Sequence, residues 1–458
     1  MIKRARRPIR CAAKVVLTLI CLLSAVTPIV RAEMPLAAKC NPVGNFSVDE
    51  RIAGCTAIIE AGSAVQQSVI VAHFRRASYY WQKGEVDLAI ADYDQLIEHD
   101  PNNVAARIGR AAAHVAKRES DAALFDYSKV VEIDPKNVHA YLGRAQIYHT
   151  KGDIDRAIVE YGQALLIHPD NVAAHVGRGL AYFAKDEPER AMADCKRAIE
   201  ISPENGAGHY CRGQISLARG NSELALADFD RVIRFNPKNT FGYSSRAYAQ
   251  YQLDEFDRAI ADYDEAIRLN PKDKNALVGR SAAYKAKGDF EHAIADCDRL
   301  LQLDPNDAHA YFVRAMVHWH GGSLSQSLAD FDKAGRLNPQ SAYVALWREI
   351  AARRSDQPSR LAEAATHLDM MKWPAPIINL FLGVLTPEQM LSAAYDSDAR
   401  KRKAQVCEAN FYNAEFALQR GSKEDARRSL ELAAADCPKT FVEGRAATLE
   451  LKALSANP

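Results

Sequence analysis

Four kinds of side chain in this sequence have the chemistry that sites are made of: histidines, cysteines, carboxylates and arginines. His318 and His320 flank Trp319. Residues two apart on a helix point to different sides, so they do not read as a zinc pair. No CxxC occurs, which leaves the cysteines without a redox motif. The acids are numerous, but there is no HExxH, no GxSxG, no phosphate-cradling P-loop and no GxGxxG after a strand. The expectation is no cofactor, no metal site and no enzyme. The alternative is a hydrolase or transferase whose acid pair lies in the C-terminal region, and it would need a polar pocket around residues 355–397.

The arginines and acids keep step with one another. Arg76, Arg110, Arg144, Arg178, Arg212, Arg246, Arg280, Arg314 and Arg348 recur every 34 residues. Asp92, Asp126, Glu160, Asp194, Asp228, Asp262, Asp296 and Asp330 recur with the same period. So regular a pattern predicts a ladder of ion pairs, each arginine meeting an acid of its own or the preceding repeat. A charged ligand track is the other reading. Pairs of this kind can fix register more than they add stability.

The elements that must position these charges are set by prolines. Pro101, Pro135, Pro169, Pro203, Pro237, Pro271, Pro305 and Pro339 stand 34 apart. Each stops a helix, because it lacks an N–H and clashes with the preceding turn. Asp134, Asn236, Asn270, Asp304 and Asn338, just before five of them, favour a turn. Twelve residues before each proline is Ala89, Ala123, Ala157, Ala191, Ala225, Ala259, Ala293 or Ser327, small enough for two helices to meet closely. Seventeen before is Gly84, Gly152, Gly220, Gly288 or Gly322, a turn position suited to left-handed backbone. Arg118, Asp186 and Asp254 replace it in three repeats, where a tighter or slightly strained turn is expected. Eight before is a core side chain: Tyr93, Tyr127, Tyr161, Cys195, Phe229, Tyr263, Cys297 or Phe331. Each repeat is thus two helices of about 14 residues, roughly 21 Å long. One such hairpin cannot bury both faces, so repeats must stack.

This pattern, over residues 70–341, resembles the tetratricopeptide-repeat (TPR) family. The resemblance implies an all-α fold, a right-handed superhelix whose first helices line a concave groove. It also implies a protein or peptide partner. In that geometry residues four, seven, eleven and fourteen after each proline face the groove. Tyr210, Phe241, Tyr248, Tyr251, Phe312 and Trp319 fall there, with Lys285 and His309, and form the candidate partner-binding set. The Lys and Asn set that holds a peptide carboxylate in chaperone-binding relatives is missing. An aromatic groove would favour an extended or helical peptide; the other reading is that several of these rings pack between helices.

The ends differ. Lys3, Arg4, Arg6, Arg7, Arg10 and Lys14 precede an apolar run from Val15 to Val30, and Val30-Arg31-Ala32 supplies small residues at a cleavage site. Residues 1–32 read as a secretory signal peptide, with a retained anchor as the alternative. Without them 52 basic residues face 58 acidic ones. The mature chain is therefore expected to bind no nucleic acid, to have no stable membrane span, and to lie beyond the inner membrane, in the periplasm. Residues 33–69 hold an N-terminal segment and a capping helix, since Asp49–Ile59 echoes a second helix with Cys55 at the core place of Cys195 and Cys297. Residues 342–458 form a helical module with one more hairpin around Ala414, Gly421, Ala426, Ala433 and Pro438. The segments Cys407–Glu415, Gly421–Pro438 and Phe441–Leu451 look like the C-terminal part of new-lipoprotein-I-like (NlpI-like) TPR proteins, which are cell-envelope adaptors. The lipidation cysteine of those proteins is missing here. A homo-oligomer is left open.

Cys407 would begin one helix of that last hairpin and Cys437 end its antiparallel partner, which predicts a disulfide. Cys40 and Cys55 form a second pair, or Cys55 is a core residue. Cys195 and Cys297 are expected as small core residues, and Cys211 has no assignment.

Overall fold

The structure, a computed structural model, describes residues 36–62, 66–437 and 441–456. The expected signal peptide lies outside them. The chain divides into two compact units, Met1–Glu187 and Pro188–Pro458. Both are helical, with no strand among the described residues. In the first unit a short 3-10 turn, Ala37–Cys40, leads to α1 (Val48–Glu60). Three hairpins follow: α2 (Gln66–Lys83) with α3 (Val86–His99), α4 (Val104–Ala116) with α5 (Ser120–Ile133), and α6 (Val138–Thr150) with α7 (Ile154–Ile167). The helix α8 (Val172–Ala184) ends the unit.

The second unit opens with α9 (Pro188–Ile201). Its hairpins are α10 (Gly206–Ala218) with α11 (Ser222–Phe235), α12 (Thr240–Gln252) with α13 (Phe256–Leu269), α14 (Lys274–Lys287) with α15 (Phe290–Leu303), and α16 (Ala308–His320) with α17 (Leu324–Leu337). After α18 (Ala342–Arg354) the period ends. Three short helices, α19 (Leu361–Ala365), α20 (Ala375–Phe381) and α21 (Pro387–Ala393), precede α22 (Ala399–Gln419), α23 (Lys423–Asp436) and α24 (Val442–Ala456).

Each helix start and stop has a local cause. Two residues after each proline, Asn103, Asn137, Asn171, Asn205, Asn239, Asp273, Asp307 or Ser341 caps the next first helix by accepting a backbone N–H. The side chains of Asp134, Asn236, Asn270 and Asp304 accept the N–H two residues on, bending the chain through each proline. Between paired helices the turn is left-handed at Gly84 and Gly152, with φ of 78° and 80°. The turns at Arg118, Asp186 and Asp254 are not tighter but carry slight strain, the other expectation. They keep the same left-handed backbone, at φ of 63°, 64° and 60°, so the cost falls on the residue and not on the turn.

The charge ladder is present and double. Arg110 Nε and Nη2 each donate to Asp126 of the same hairpin at 2.7 Å, and its Nη1 reaches Asp94 of the preceding one at 2.6 Å. Arg246, Arg280 and Arg314 repeat this, each holding one aspartate on either side. Arg212 pairs with Asp228, and Lys196 stands at the place of the second aspartate, as Ser128 and Gly162 do ahead of Arg144 and Arg178. Arg348 has no hairpin acid ahead of it and turns back to Asp332 and the Pro358 carbonyl.

Packing between repeats obeys a volume rule. A Cβ added at Gly109, Gly143, Gly177 or Gly279 would lie within 2.4 Å of the ring of Tyr93, Tyr127, Tyr161 or Tyr263, sixteen residues earlier. Where Cys195 replaces the tyrosine, Cys211 replaces the glycine, and the two form a disulfide. Cys195 is a buried core residue as expected, but bonded and not free. Cys297, buried and free, faces a cluster with Val313 instead. Cys55 is bonded to Cys40, and Cys407 to Cys437. Cys407 does not begin its helix, because α22 starts at Ala399.

One rung is imperfect. Glu160 stands where the other rungs have aspartate, and Arg144 meets it through Nη2 alone, at 2.5 Å. Arg144 Nε and Glu160 Oε2 are buried without partners, and burial raises the Glu160 carboxyl above its ordinary range. The extra methylene spoils the two-pronged fit. Shortening it by Glu160→Asp is expected to raise stability by about 1 kcal/mol in urea denaturation, since each unmade buried hydrogen bond costs ~1–3 kcal/mol. An unchanged midpoint would show that the second prong carries no energy.

Candidate functional site

In the second unit the first helices α12, α14 and α16 share one concave face. Between them lies an open cavity of about 420 Å³, with Ser244, Tyr248, Tyr251, Val278, Ala282 and His309 in its walls. Gly279 makes the floor, because its missing side chain admits the Tyr263 ring from beneath. The rim is charged, one lysine against two carboxylates. Lys274 Nζ sits 3.0 Å from Asp304 and 3.1 Å from Asp307, and those hydrogen bonds raise its pKa.

The expected groove residues divide into those the cavity gathers and those it does not. Tyr248, 38% exposed, stacks on Tyr251 with ring centroids 6.5 Å apart and planes at 17°. Its outer face is open. Exposed His309 stands on the rim. Phe241 is 66% exposed at the start of α12 but does not line the cavity. Tyr210 and Phe312 are half-buried against Phe229 and Phe331, at 6.1 and 5.7 Å. Trp319 is a correction: at 6% exposure it packs edge-on to Trp347 under the Arg354 guanidinium, and so is part of the core. Half-buried Lys285 is pushed down to about 8, first by burial and then by the like charge of Arg445. The positions four, seven and eleven after each proline also place Ser244, Asn275, Val278 and Ala282 in the cavity wall. Sequence reasoning passed over these four because it selected aromatic and charged residues.

The C-terminal acids converge, but not on a pocket. Glu408 Oε2 accepts from the Tyr343 hydroxyl at 2.9 Å and from Trp373 Nε1 at 2.6 Å. Tyr412 donates to Glu443 at 3.1 Å, while Arg354 holds Glu415 and Glu450 at 2.8 and 2.9 Å. These carboxylates tie α22 and α24 to α18 and close a core around Trp347, Phe411 and Tyr412. A second cavity, of about 360 Å³ beside α19, is richer in guanidinium than in acid, with Arg336, Arg348 and Arg360 against Asp332 and Glu363. Glu408, Glu415, Glu443 and Glu450 are not among the residues that line this cavity.

Stacked helix hairpins around an open aromatic groove define a repeat protein of the peptide- and protein-binding class. The chain belongs to the tetratricopeptide-repeat family: family models described as tetratricopeptide repeat or TPR repeat match residues 74–138, 127–159, 145–186, 172–205, 245–308 and 280–352. Its fold class is the all-α TPR superhelix. It is similar to a tetratricopeptide repeat protein from Parabacteroides merdae, at 21% identity over 57% of this chain and 98% of that one, with a TM-score of 0.43. It is also similar to the anaphase-promoting-complex assembly Cut9–Hcn1, at 15% identity over 66% of this chain and 59% of that one, with a TM-score of 0.49. A third likeness is YrrB, a TPR protein with an unusual peptide-binding site, at 21% identity over 40% and 95% of the two chains and a TM-score of 0.32. No curated protein matches the chain.

Burial is the main reason that Glu408 is raised to about 7. Folding therefore favours its protonated form. The stabilisation is complete below the ordinary carboxylate range and is lost as pH climbs towards 7. Tryptophan-monitored unfolding is expected to show the chain losing on the order of 2 kcal/mol between pH 5 and 8 from this group. Glu408→Gln, which stays neutral, should remove that part of the slope. An identical slope in the variant would contradict the assignment.

Proposed function

We propose that this TPR protein is an interaction scaffold of the bacterial cell envelope, secreted across the inner membrane, which holds a peptide segment of a protein partner in the concave cavity on α12, α14 and α16. The observation that carries the reading is the Tyr248–Tyr251 stack, which offers one open aromatic face to a cavity wide enough for a peptide side chain. Three disulfides are in keeping with an oxidising compartment. No described helix is long and apolar enough to cross a membrane.

Crosslinking in the native envelope through a photoreactive residue at Phe241, on the same face, is expected to capture a protein. Tyr248→Ala with His309→Ala should cut that capture at least tenfold while leaving thermal unfolding within a few degrees. Capture at the wild-type level would sink the proposal. Trp319→Ala is no substitute, because truncating a buried tryptophan costs ~3–5 kcal/mol of stability.

A further inference from the structure

Tyr251, Lys285 and Trp319 occupy the same place on α12, α14 and α16, 34 residues apart, and so form one row across the groove. The C-terminal helix α24 reaches this row from the opposite side. Arg445 of α24 lies 4.1 Å over the Tyr251 ring and 5.8 Å from that of Phe256. Its Nη2 donates to the Tyr251 carbonyl at 3.3 Å and stands 3.6 Å from Asp254. One turn and a half further along α24, Glu450 takes Arg354, which covers Trp319. The helix packs its body on α22 and α23 and reaches the row through these long side chains. Thr448 and Leu449, next on the Arg445 side of α24, are exposed. The row is bridged, not sealed.

Charge in this stretch does not balance. Arg354 has two carboxylates and Arg445 has Asp254. Lys285 has no carboxylate among the described residues, although it is half-buried and feels the like charge of Arg445. The other titratable neighbours are His320 of α16, pushed down to about 3 and so neutral, and the Cys297 thiol of α15. A desolvated cation without an anion is costly, and a carboxylate brought to it recovers much of that cost.

We propose that Lys285 and Arg445 together form an anchor for a carboxylate of an acidic partner segment, seated between α24 and the wall of α12 and α14. This rests on the scaffold reading and gives its partner a chemistry. The anchor adjoins the open cavity through Tyr251, which belongs to both. A peptide that places an aromatic or aliphatic side chain against Tyr248 has its next acidic residues beside Lys285.

The test uses the full-length chain and two fluorescent probes. One is an acetylated, amidated ten-residue peptide of Tyr, Leu and Glu, and the other its twin with Gln for every Glu. The Glu probe is expected to bind at least tenfold tighter. Lys285→Gln and Arg445→Gln should each erase most of that preference, with thermal unfolding within a few degrees of the wild type. Between pH 7 and 9 the wild-type preference should fade as Lys285 loses its proton, while Lys285→Arg keeps it flat. Equal binding of the two probes, a preference that survives Lys285→Gln, or no binding of either probe would overturn the anchor. Envelope capture sensitive to Tyr248→Ala would, in those cases, leave the scaffold reading standing.

Discussion

One guanidinium per hairpin sets the geometry from which the rest of this fold follows. An arginine on each first helix must face a carboxylate on its second helix, sixteen residues on, with both groups largely out of water. Two-pronged contact tolerates little error in distance or angle. The turn between the helices must therefore be the same each time, which is why Arg118, Asp186 and Asp254 accept left-handed backbone where glycine would be at ease. The second aspartate carries the constraint from one hairpin to the next. Equal steps between hairpins put equivalent residues of successive first helices into a row, and that row is what the groove is made of.

The parts of this architecture legible in the sequence are those with a local cause. Prolines end helices wherever they occur, and a period of arginines and acids has few structural explanations other than pairing. The Cys195–Cys211 bond had a signal too. Its spacing is that of Tyr161 to Gly177, so the two thiols fill the volume of a ring set against a missing side chain. Considering Cys195 alone hid the match. The groove positions were also legible, but choosing among them by aromatic type was not sound. Trp319 is buried because Trp347 and the C-terminal helices pack there, and they lie outside the repeat. Nothing periodic links Arg445 to Tyr251, 194 residues away.

The proposed binding surface lies where the regular and irregular parts of the second unit meet. Repeats alone would present a uniform trough. The C-terminal module breaks that uniformity by burying one end of the row, lending Arg445 to the other, and leaving the Tyr248 face free. Its own cohesion depends on buried glutamates that hold α18, α22 and α24 together. The proposed surface is thus completed by residues that the repeat does not encode.

Repeat arrays come apart by fraying, one hairpin after another from an end. The bond between Cys195 of α9 and Cys211 of α10 crosses a boundary between hairpins and locks a separation of 16 residues. A chain pulled from its ends would surrender its contour in instalments, and the bond would withhold the stretch between Cys195 and Cys211 until a reductant released it. The crosslink is a stitch in an otherwise extensible array: the segment joining α9 to α10 is contour that force alone does not release.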